Sequence, residues 1–517
     1  VKARLRERWA AVRGTGKEWQ STSQRLLFSM FNDYTDVGCY HLTHETGPPL
    51  REAYLLHVVN HVLKSRDLVL KNNQSLAKGG TGDVVADQGF TRPRVLILAP
   101  FRNTAYEIVQ NLIQLLPKLQ SDRVANKGRF GQEFGPDEEI ESAVDNKKTA
   151  DFRQTFYGNI DDCFSLGIAI SRKTVKLYSD FYKSDIILAS PVGLMRVLEH
   201  TDTESEMFRV HAGNVDFLSS IEVAILDSAH IFLMQNWEHL GTLFKCMNQL
   251  PKEPRDTDFS RVRQWNLEDC AKYYRQTILL SEFQTPEFNA FFKNRCCNRR
   301  GAVRLAPSFD IHRHQNALVE AKGSGCITPY IPPRIQLVLP QLKHMFLRVP
   351  MEDISNAFEI RFQFFKTNLF DRWNGSLQSR TILFVPSYYD FVRVKALFKS
   401  DGTGMRYATL SEYSTGADIT RVRARFFEGL VDFLITTERF YFYHRYKLRG
   451  ARAVVFYSIP AHTQYYSDYV NMLSEGDESL SSTALFSLLD QHSMVRLLGS
   501  ARARAMFRGK QHTFALA

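Results

Sequence analysis

Four short apolar runs end on residues able to do chemistry. IEVAIL (221–226) runs into Asp227-Ser228-Ala229-His230, QTILL (276–280) into Ser281-Glu282-Phe283, DIILA (185–189) into Ser190-Pro191, and RVLILA (94–99) into Pro100-Phe101-Arg102. In open α/β sheets ligands gather at the carboxyl ends of the strands, so these positions carry the functional information. Phosphoryl transfer is the chemistry such a set would serve. It needs a carboxylate for magnesium, a partner carboxylate to orient the attacking group, and a glycine-rich loop with a lysine to cradle phosphates.

The elements that must hold these residues follow from the pattern. Each apolar run is short and rich in Val, Ile and Leu, and most precede a helical spacing, as in NTAYEIVQNLIQLL and YDFVRVKALFK. Continuous apolar strands alternating with helices predict parallel sheets covered on both faces. TILFV (381–385), VDFLI (431–435) and RAVVFY (452–457) form a second cluster of the same kind. The expected division is an N-terminal extension over 1–89, domain one over 90–305, a linker or insertion over 306–343, domain two over 344–480, and a C-terminal helix with a basic tail over 481–517. Residues 77–89 and 474–483 read as loops. Phe358, Phe362, Phe365 and Leu369 recur at helical spacing and predict one apolar helix face.

The 517 residues carry 66 Lys and Arg against 55 Asp and Glu, a net charge of +11, with 44% hydrophobic and 12% aromatic residues. These values exclude a disordered chain, a collagen-like chain and a small disulfide scaffold. The basic balance points to anionic partners, nucleic acid first. Seven cysteines, an odd number without CxxC spacing, read as a reducing compartment and no zinc site. No metal and no cofactor are expected. No apolar stretch approaches a membrane span, and the basic start VKARLRERWAAVRG lacks the apolar core of a secretory signal, so a cytosolic or nuclear address is expected.

The order of strand ends resembles the first RecA-like domain of superfamily 2 RNA helicases of the DEAD-box kind. Those helicases carry PTRELA, TPGR, DEAD and SAT where this chain carries PFRNTA, SPVG, DSAH and SEF. ILFVPS and FLITTERF resemble the fourth and fifth motifs of the second such domain. The fold class implied is α/β, two RecA-like domains with parallel sheets in a helicase-like arrangement. The ATPase parts depart from that pattern. No G-x-x-x-x-G-K-[ST] string occurs: Gly16-Lys17 has Ala11 in place of the first Gly and Glu18 in place of the hydroxyl, and the 79–83 loop GGTGD has no Lys. Ser228 replaces the second carboxylate. Residues 453–495, where a trans-acting arginine belongs, contain neither Arg nor Lys.

Longer strings are more specific. RPRVLILAPFRNTA, ILDSAHIFLMQNWEHL, RDTDFSRVRQW, AKYYRQTILLSEF, FVPSYYDFVRVK, LSEYSTGADITRVRARFF and TTERFYFYHRYKLRGARAVVFYSIP resemble the digestive organ expansion factor family, whose fungal members are U3 small nucleolar RNA-associated proteins. The resemblance implies a nucleolar pseudo-helicase of the small-subunit processome. Such a protein is a non-catalytic assembly factor for early pre-rRNA cleavage and 18S rRNA maturation. Its partners would be pre-rRNA or U3 snoRNA and processome proteins, with no membrane and no nucleotide. An active ATP-dependent RNA helicase and a free-standing RNA-binding protein are the competing readings.

Residue by residue, alternatives stand side by side. Asp227 is a vestigial metal ligand or the cap of the following helix. His230 stands where DEAH-type proteins have His, or is a hydrogen-bonded structural histidine. Ser281 belongs to an interdomain latch or caps its strand end. Arg102 meets a phosphate or a neighbouring acidic side chain. Lys293, Arg295, Arg299, Arg300 and Arg304 form a basic run whose plain reading is a solvated face. Arg439, His444, Arg445, Lys447, Arg449 and Arg452, interleaved with Phe440, Tyr441, Phe442, Tyr443 and Tyr446, suit either single-stranded nucleic acid or a protein partner. The C-terminal RLLGSARARAMFRGK reads as an arm that orders on binding.

Overall fold

The computed structural model describes the chain except residues 14–18, 79–84, 137–147, 200–214, 254, 312–313, 316–328, 352, 374–379, 403, 474–479 and 517. Both glycine-bearing segments inspected for a phosphate cradle, Gly16-Lys17 and 79–83, lie outside the described residues, as does much of the 306–343 connection. The chain forms two compact units, one over most of residues 1–307 and the other over most of 330–517.

The first unit is built on β1 (Asp36–Cys39), β2 (Val95–Leu98), β3 (Val124–Ala125), β4 (Ser165–Ile170), β5 (Val175–Leu177), β6 (Ile186–Ala189), β7 (Val223–Leu226), β8 (Gln276–Leu280) and β9 (Ala302–Leu305). They form one sheet in the order β3-β5-β4-β6-β2-β7-β8-β1-β9. From β6 to β9 every pairing is parallel, and β4 runs antiparallel to both its neighbours. Strand residues alternate between two faces. Val95, Ile97, Val223 and Ile225 pack under helices α1 (Ala3–Arg13), α2 (Thr22–Asn32), α3 (Gly47–Ala77) and α4 (Arg102–Leu115). Leu96, Leu98, Ala224 and Leu226 join Phe232, Phe244 and Phe288 on the opposite face. The four apolar runs at the predicted strand positions are β2, β6, β7 and β8.

The second unit holds β10 (Lys343–Arg348), β11 (Thr381–Val385), β12 (Tyr407–Leu410), β13 (Phe433–Thr437), β14 (Ala453–Phe456), β15 (Ser481–Phe486) and β16 (Thr513–Leu516). Their order is β12-β13-β11-β14-β15-β10-β16, parallel throughout except for the antiparallel edge strand β16. Both sheets are RecA-like in their alternation of parallel strands and covering helices.

Several expectations are corrected. Residues 1–89, expected as an extension and first helices leading into domain one, do hold helices α1–α3, which cover one face of the sheet, and also supply β1, which lies inside the sheet between β8 and β9. β1 was hard to read because DVGC has only two bulky apolar residues, and Gly38 is small for a reason. A Cβ there would meet the Tyr40 hydroxyl at 2.8 Å and the Phe292 ring at 2.9 Å. Residues 481–486, expected to open as loop and tail, are a strand between β14 and β10. The basic C-terminal run is likewise no unfolded arm. It forms the helices Gln491–Leu498 and Ser500–Arg508 and then β16, because Met494, Leu497, Leu498, Ala503 and Met506 supply a buried face. In 357–365, Phe365 is buried while Phe358 is 65% exposed, so the predicted apolar face is only partly covered.

Two histidines of the first unit are buried and held neutral. Burial lowers His57 to about 3, where its ring is 2.8 Å from the Gln276 side chain, and lowers His41 to about 4. The unfolded chain takes up protons near the ordinary value of 6.5, so each group withdraws stability as the pH falls below 6.5. At pH 5 that is about 2 kcal/mol each. Burial raises Asp36 to about 6, which acts in the opposite direction and returns roughly 1 kcal/mol over the same interval. From these three groups urea unfolding should therefore show a net loss of about 2 kcal/mol between pH 7 and pH 5. His57→Gln should flatten that dependence, and an unchanged slope would refute the assignment.

Candidate functional site

Asp227 follows β7, and its side chain is 1% exposed. It does not cap the next helix: its oxygens are taken from elsewhere. Arg51 of α3 donates from Nε to Oδ2 at 2.9 Å and from Nη2 to Oδ1 at 3.4 Å. The Tyr54 hydroxyl donates to Oδ2 at 2.7 Å and the Ser228 hydroxyl to Oδ1 at 2.9 Å. Arg51 extends the network through Nη1 to Glu107 of α4 at 2.5 Å. Burial by itself would raise the Asp227 pKa, but the Arg51 guanidinium and the two hydroxyls reverse that and hold it below the usual value. The charge of Asp227 likewise outweighs burial and raises Arg51, while burial and that same charge push the Tyr54 phenol up.

The loop after β1 leads into the N-terminus of α3 beside this carboxylate, the place where a strand–loop–helix cradle would take phosphates. Such a cradle needs open backbone N–H groups. Here Tyr40 N–H donates to the Leu305 carbonyl, Leu42 N–H to that of Ser281, and Gly47 N–H to that of Thr43. Thr43 and Thr46 each donate a backbone N–H to the other's hydroxyl, at 2.8 and 3.2 Å, and the Thr46 hydroxyl donates to the His41 carbonyl at 2.7 Å. Pro48 and Pro49 open α3 and have no N–H to offer. The carboxylate is thus paired with a guanidinium, and the Tyr40, Leu42, Thr43, Thr46 and Gly47 N–H groups of the loop are bonded within the unit.

The other strand ends are also tied down within the unit. The Ser281 hydroxyl donates to the Phe283 carbonyl at 2.8 Å, turning the chain after β8. Nδ1 of half-buried His230 accepts from Glu282 N–H at 3.3 Å, joining the ends of β7 and β8, and Ala229 is buried. Arg102 meets an acidic side chain, Asp161, at 2.9 Å, and donates to the Glu133 and Cys163 carbonyls at 3.2 Å.

In the second unit three of the five aromatic residues that interleave with the cations point inward, while Tyr443 and Tyr446 are half-buried. Phe440, Tyr441 and Phe442 are buried, packed against Tyr465, Tyr469 and His462, which removes them as a stacking surface. Arg445, 9% exposed, lies against Asp468 at 3.5 Å and over the Tyr465 ring at 4.6 Å. Arg439 is 3.5 Å from Glu412, and His444 stacks on Tyr446. Lys447, Arg449 and Arg452 remain exposed. Past β14, where the sequence has no cation of its own, Arg496 arrives from the helix Gln491–Leu498 and donates to the Ala461 carbonyl at 2.9 Å.

Arg51, Tyr54, Glu107 and Arg496 were missed by sequence reasoning. Arg51 and Tyr54 left a faint signal, an Arg and a Tyr three residues apart in the otherwise apolar helical stretch that Pro48-Pro49 opens.

A parallel sheet with a carboxylate at the end of β7 and a loop–helix beside it defines a protein of the NTP-hydrolase-like, RecA-type class. A family model described as "UTP25, NTP hydrolase-like domain" matches residues 34–303, and "Utp25, C-terminal domain" matches 334–516. The chain belongs to the UTP25 family. It is 39% identical over 501 residues to the U3 small nucleolar RNA-associated protein 25 homolog of Xenopus tropicalis, covering 95% of this chain and 61% of that protein. It is 34% identical to Protein NUCLEOLAR FACTOR 1 of Arabidopsis thaliana, covering 100% of this chain and 68% of that one. The chain thus spans about three fifths of the length of its vertebrate relatives. Among solved structures it is similar to the DEAD-box helicase Mss116 bound to ssRNA and UDP-BeF, at 13% identity and a TM-score of 0.34 over 97% of this chain and 76% of that one. The fold assignment rests on strand order and the family match rather than on that likeness.

Arg51→Met should destabilise the first unit by about 3–5 kcal/mol, because it leaves Asp227 buried without its cation. Adding Asp227→Asn should recover part of the loss. The stability that the depressed Asp227 pKa supplies is present above the ordinary value of 3.8 and fades as the pH falls below it, so the gap between Arg51→Met and the parent should narrow in acid. Denaturant titrations of the three proteins decide this, and a single-variant cost under about 1 kcal/mol would contradict the role given to the pair.

Proposed function

We propose that this chain is a non-catalytic assembly factor of the U3-dependent ribosome-biogenesis machinery, the small-subunit processome, acting in the nucleolus. Its relatives carry the names U3 small nucleolar RNA-associated protein 25 and Nucleolar Factor 1, which supports the placement. The observation that carries the non-catalytic part is the closed Arg51–Asp227–Tyr54 network beside a loop in which the Tyr40, Leu42, Thr43, Thr46 and Gly47 N–H groups are used internally. An NTP hydrolase of this fold needs that carboxylate for magnesium and those donors for phosphate. With both engaged, the two sheets serve as rigid carriers of docking surfaces. The partners are pre-rRNA or U3 snoRNA and protein subunits of the particle. Lys447, Arg449 and Arg452 are the exposed cations of the second unit that suit an anionic partner.

Two measurements test the reading. The purified chain should give no magnesium-ATP binding above background and no turnover, with or without RNA. In cells, an epitope-tagged chain should sediment with large pre-ribosomal particles and its depletion should lower 18S rRNA. RNA-stimulated hydrolysis lost in Asp227→Ala would overturn the non-catalytic part. Sedimentation only as free protein would overturn the assembly part.

A further inference from the structure

The edge of the first unit opposite the strand carboxyl ends carries a feature that the proposed function does not use. Trp265 and Tyr274 stack with ring centroids 4.6 Å apart and an interplanar angle of 11°. Arg299 lies over the outer side of Tyr274 at 5.0 Å, and its Nη1 donates to the Tyr274 hydroxyl at 2.8 Å. Next to them Tyr273 is 43% exposed, with the Lys272 ammonium 5.3 Å from its ring. The loop bearing Arg299 and Arg300 is fixed to this surface: Arg299 N–H donates to the Tyr273 carbonyl at 2.9 Å, and the Asn298 side chain donates to the Arg275 and Tyr34 carbonyls at 2.9 Å.

The cations gather on one loop: from Phe288 to Phe309 the chain carries five cations and no carboxylate, while the exposed Glu268 and Asp269 lie between Trp265 and Lys272. Lys272, Arg299 and Arg300 are exposed, and none is paired with a carboxylate among the described residues. Cations set beside an exposed flat ring, here Tyr273, form the combination that holds single-stranded nucleic acid, where phosphates meet the charges and a base stacks on the ring. An acidic peptide would use the cations but leave the ring faces unmatched.

We propose that this face binds single-stranded RNA, with a base stacking on Tyr273 and the backbone tracking Lys272, Arg299 and Arg300. It lies at the amino ends of β8, β1 and β9, away from Asp227. It therefore adds a contact that is independent of whether the first unit handles nucleotides.

The test uses the whole 517-residue chain and a fluorescent single-stranded RNA of mixed sequence, about twelve nucleotides long. Ultraviolet crosslinks should map to peptides from 263–274 or 293–304. Tyr273→Ala should weaken binding by about 5- to 100-fold, and Tyr273→Phe should retain it. Neutralising Lys272, Arg299 and Arg300 to Gln should reduce the log–log salt slope by about 2, at roughly 0.7 per phosphate contact. Lys272→Gln/Arg300→Gln, which touches two exposed side chains, guards against loss of folding and should remove about two thirds of that slope change. Crosslinks confined to other segments, or unchanged affinity and slope in folded variants, would overturn the proposal. Unchanged RNA binding together with lost particle incorporation would assign the face to a protein and overturn it equally.

Discussion

A carboxylate buried at the end of a central strand must be compensated, because an unpaired buried charge costs several kcal/mol. Asp227 occupies such a position, and three groups of this chain supply the compensation: the Arg51 guanidinium, the Tyr54 hydroxyl and the Ser228 hydroxyl. In a nucleotide hydrolase the positive charge would arrive with the substrate as magnesium, and binding would then be coupled to a change in the protein. Here the cation is covalently part of α3. The same helix opens on Pro48-Pro49 and follows a loop whose Tyr40, Leu42 and Gly47 N–H groups donate to the Leu305, Ser281 and Thr43 carbonyls. The arrangement couples β7, α3 and α4 through Arg51 and Glu107.

The fold was legible where the physics is local. β2, β6, β7, β8, β11, β13 and β14 are buried on both faces, so their sequences are predominantly apolar runs that admit few other readings. β1, β9, β15 and β16 were not legible. DVGC, AVRL, SSTALF and TFAL mix small, polar and charged residues, and they become strands because a neighbouring strand offers a ladder to join. The tail was misread for a related reason. Its Arg content masks a buried stripe of Met and Leu that emerges only when the two helices fold against each other.

The site was half legible. Asp227, Ser228, His230 and Ser281 stand at strand ends as their order in the sequence suggested. What they do depends on partners far away in sequence: Arg51 lies 176 residues from Asp227. Charge and aromatic density at 439–452 did not say which way each ring points. Phe440, Tyr441 and Phe442 turn into the core, while the less conspicuous Tyr273 and Lys272 stay at the surface. Adjacency in space, set by the sheet register, decides both cases.

The central claim is that Arg51 holds the place a metal would take on Asp227. Crystals of the chain grown with manganese and a non-hydrolysable ATP analogue, with anomalous data collected, test it most directly. The account expects no manganese peak at Asp227 and an unbroken Arg51–Asp227–Tyr54 network. A manganese ion coordinated by Asp227, with Arg51 swung away from it, would contradict the account.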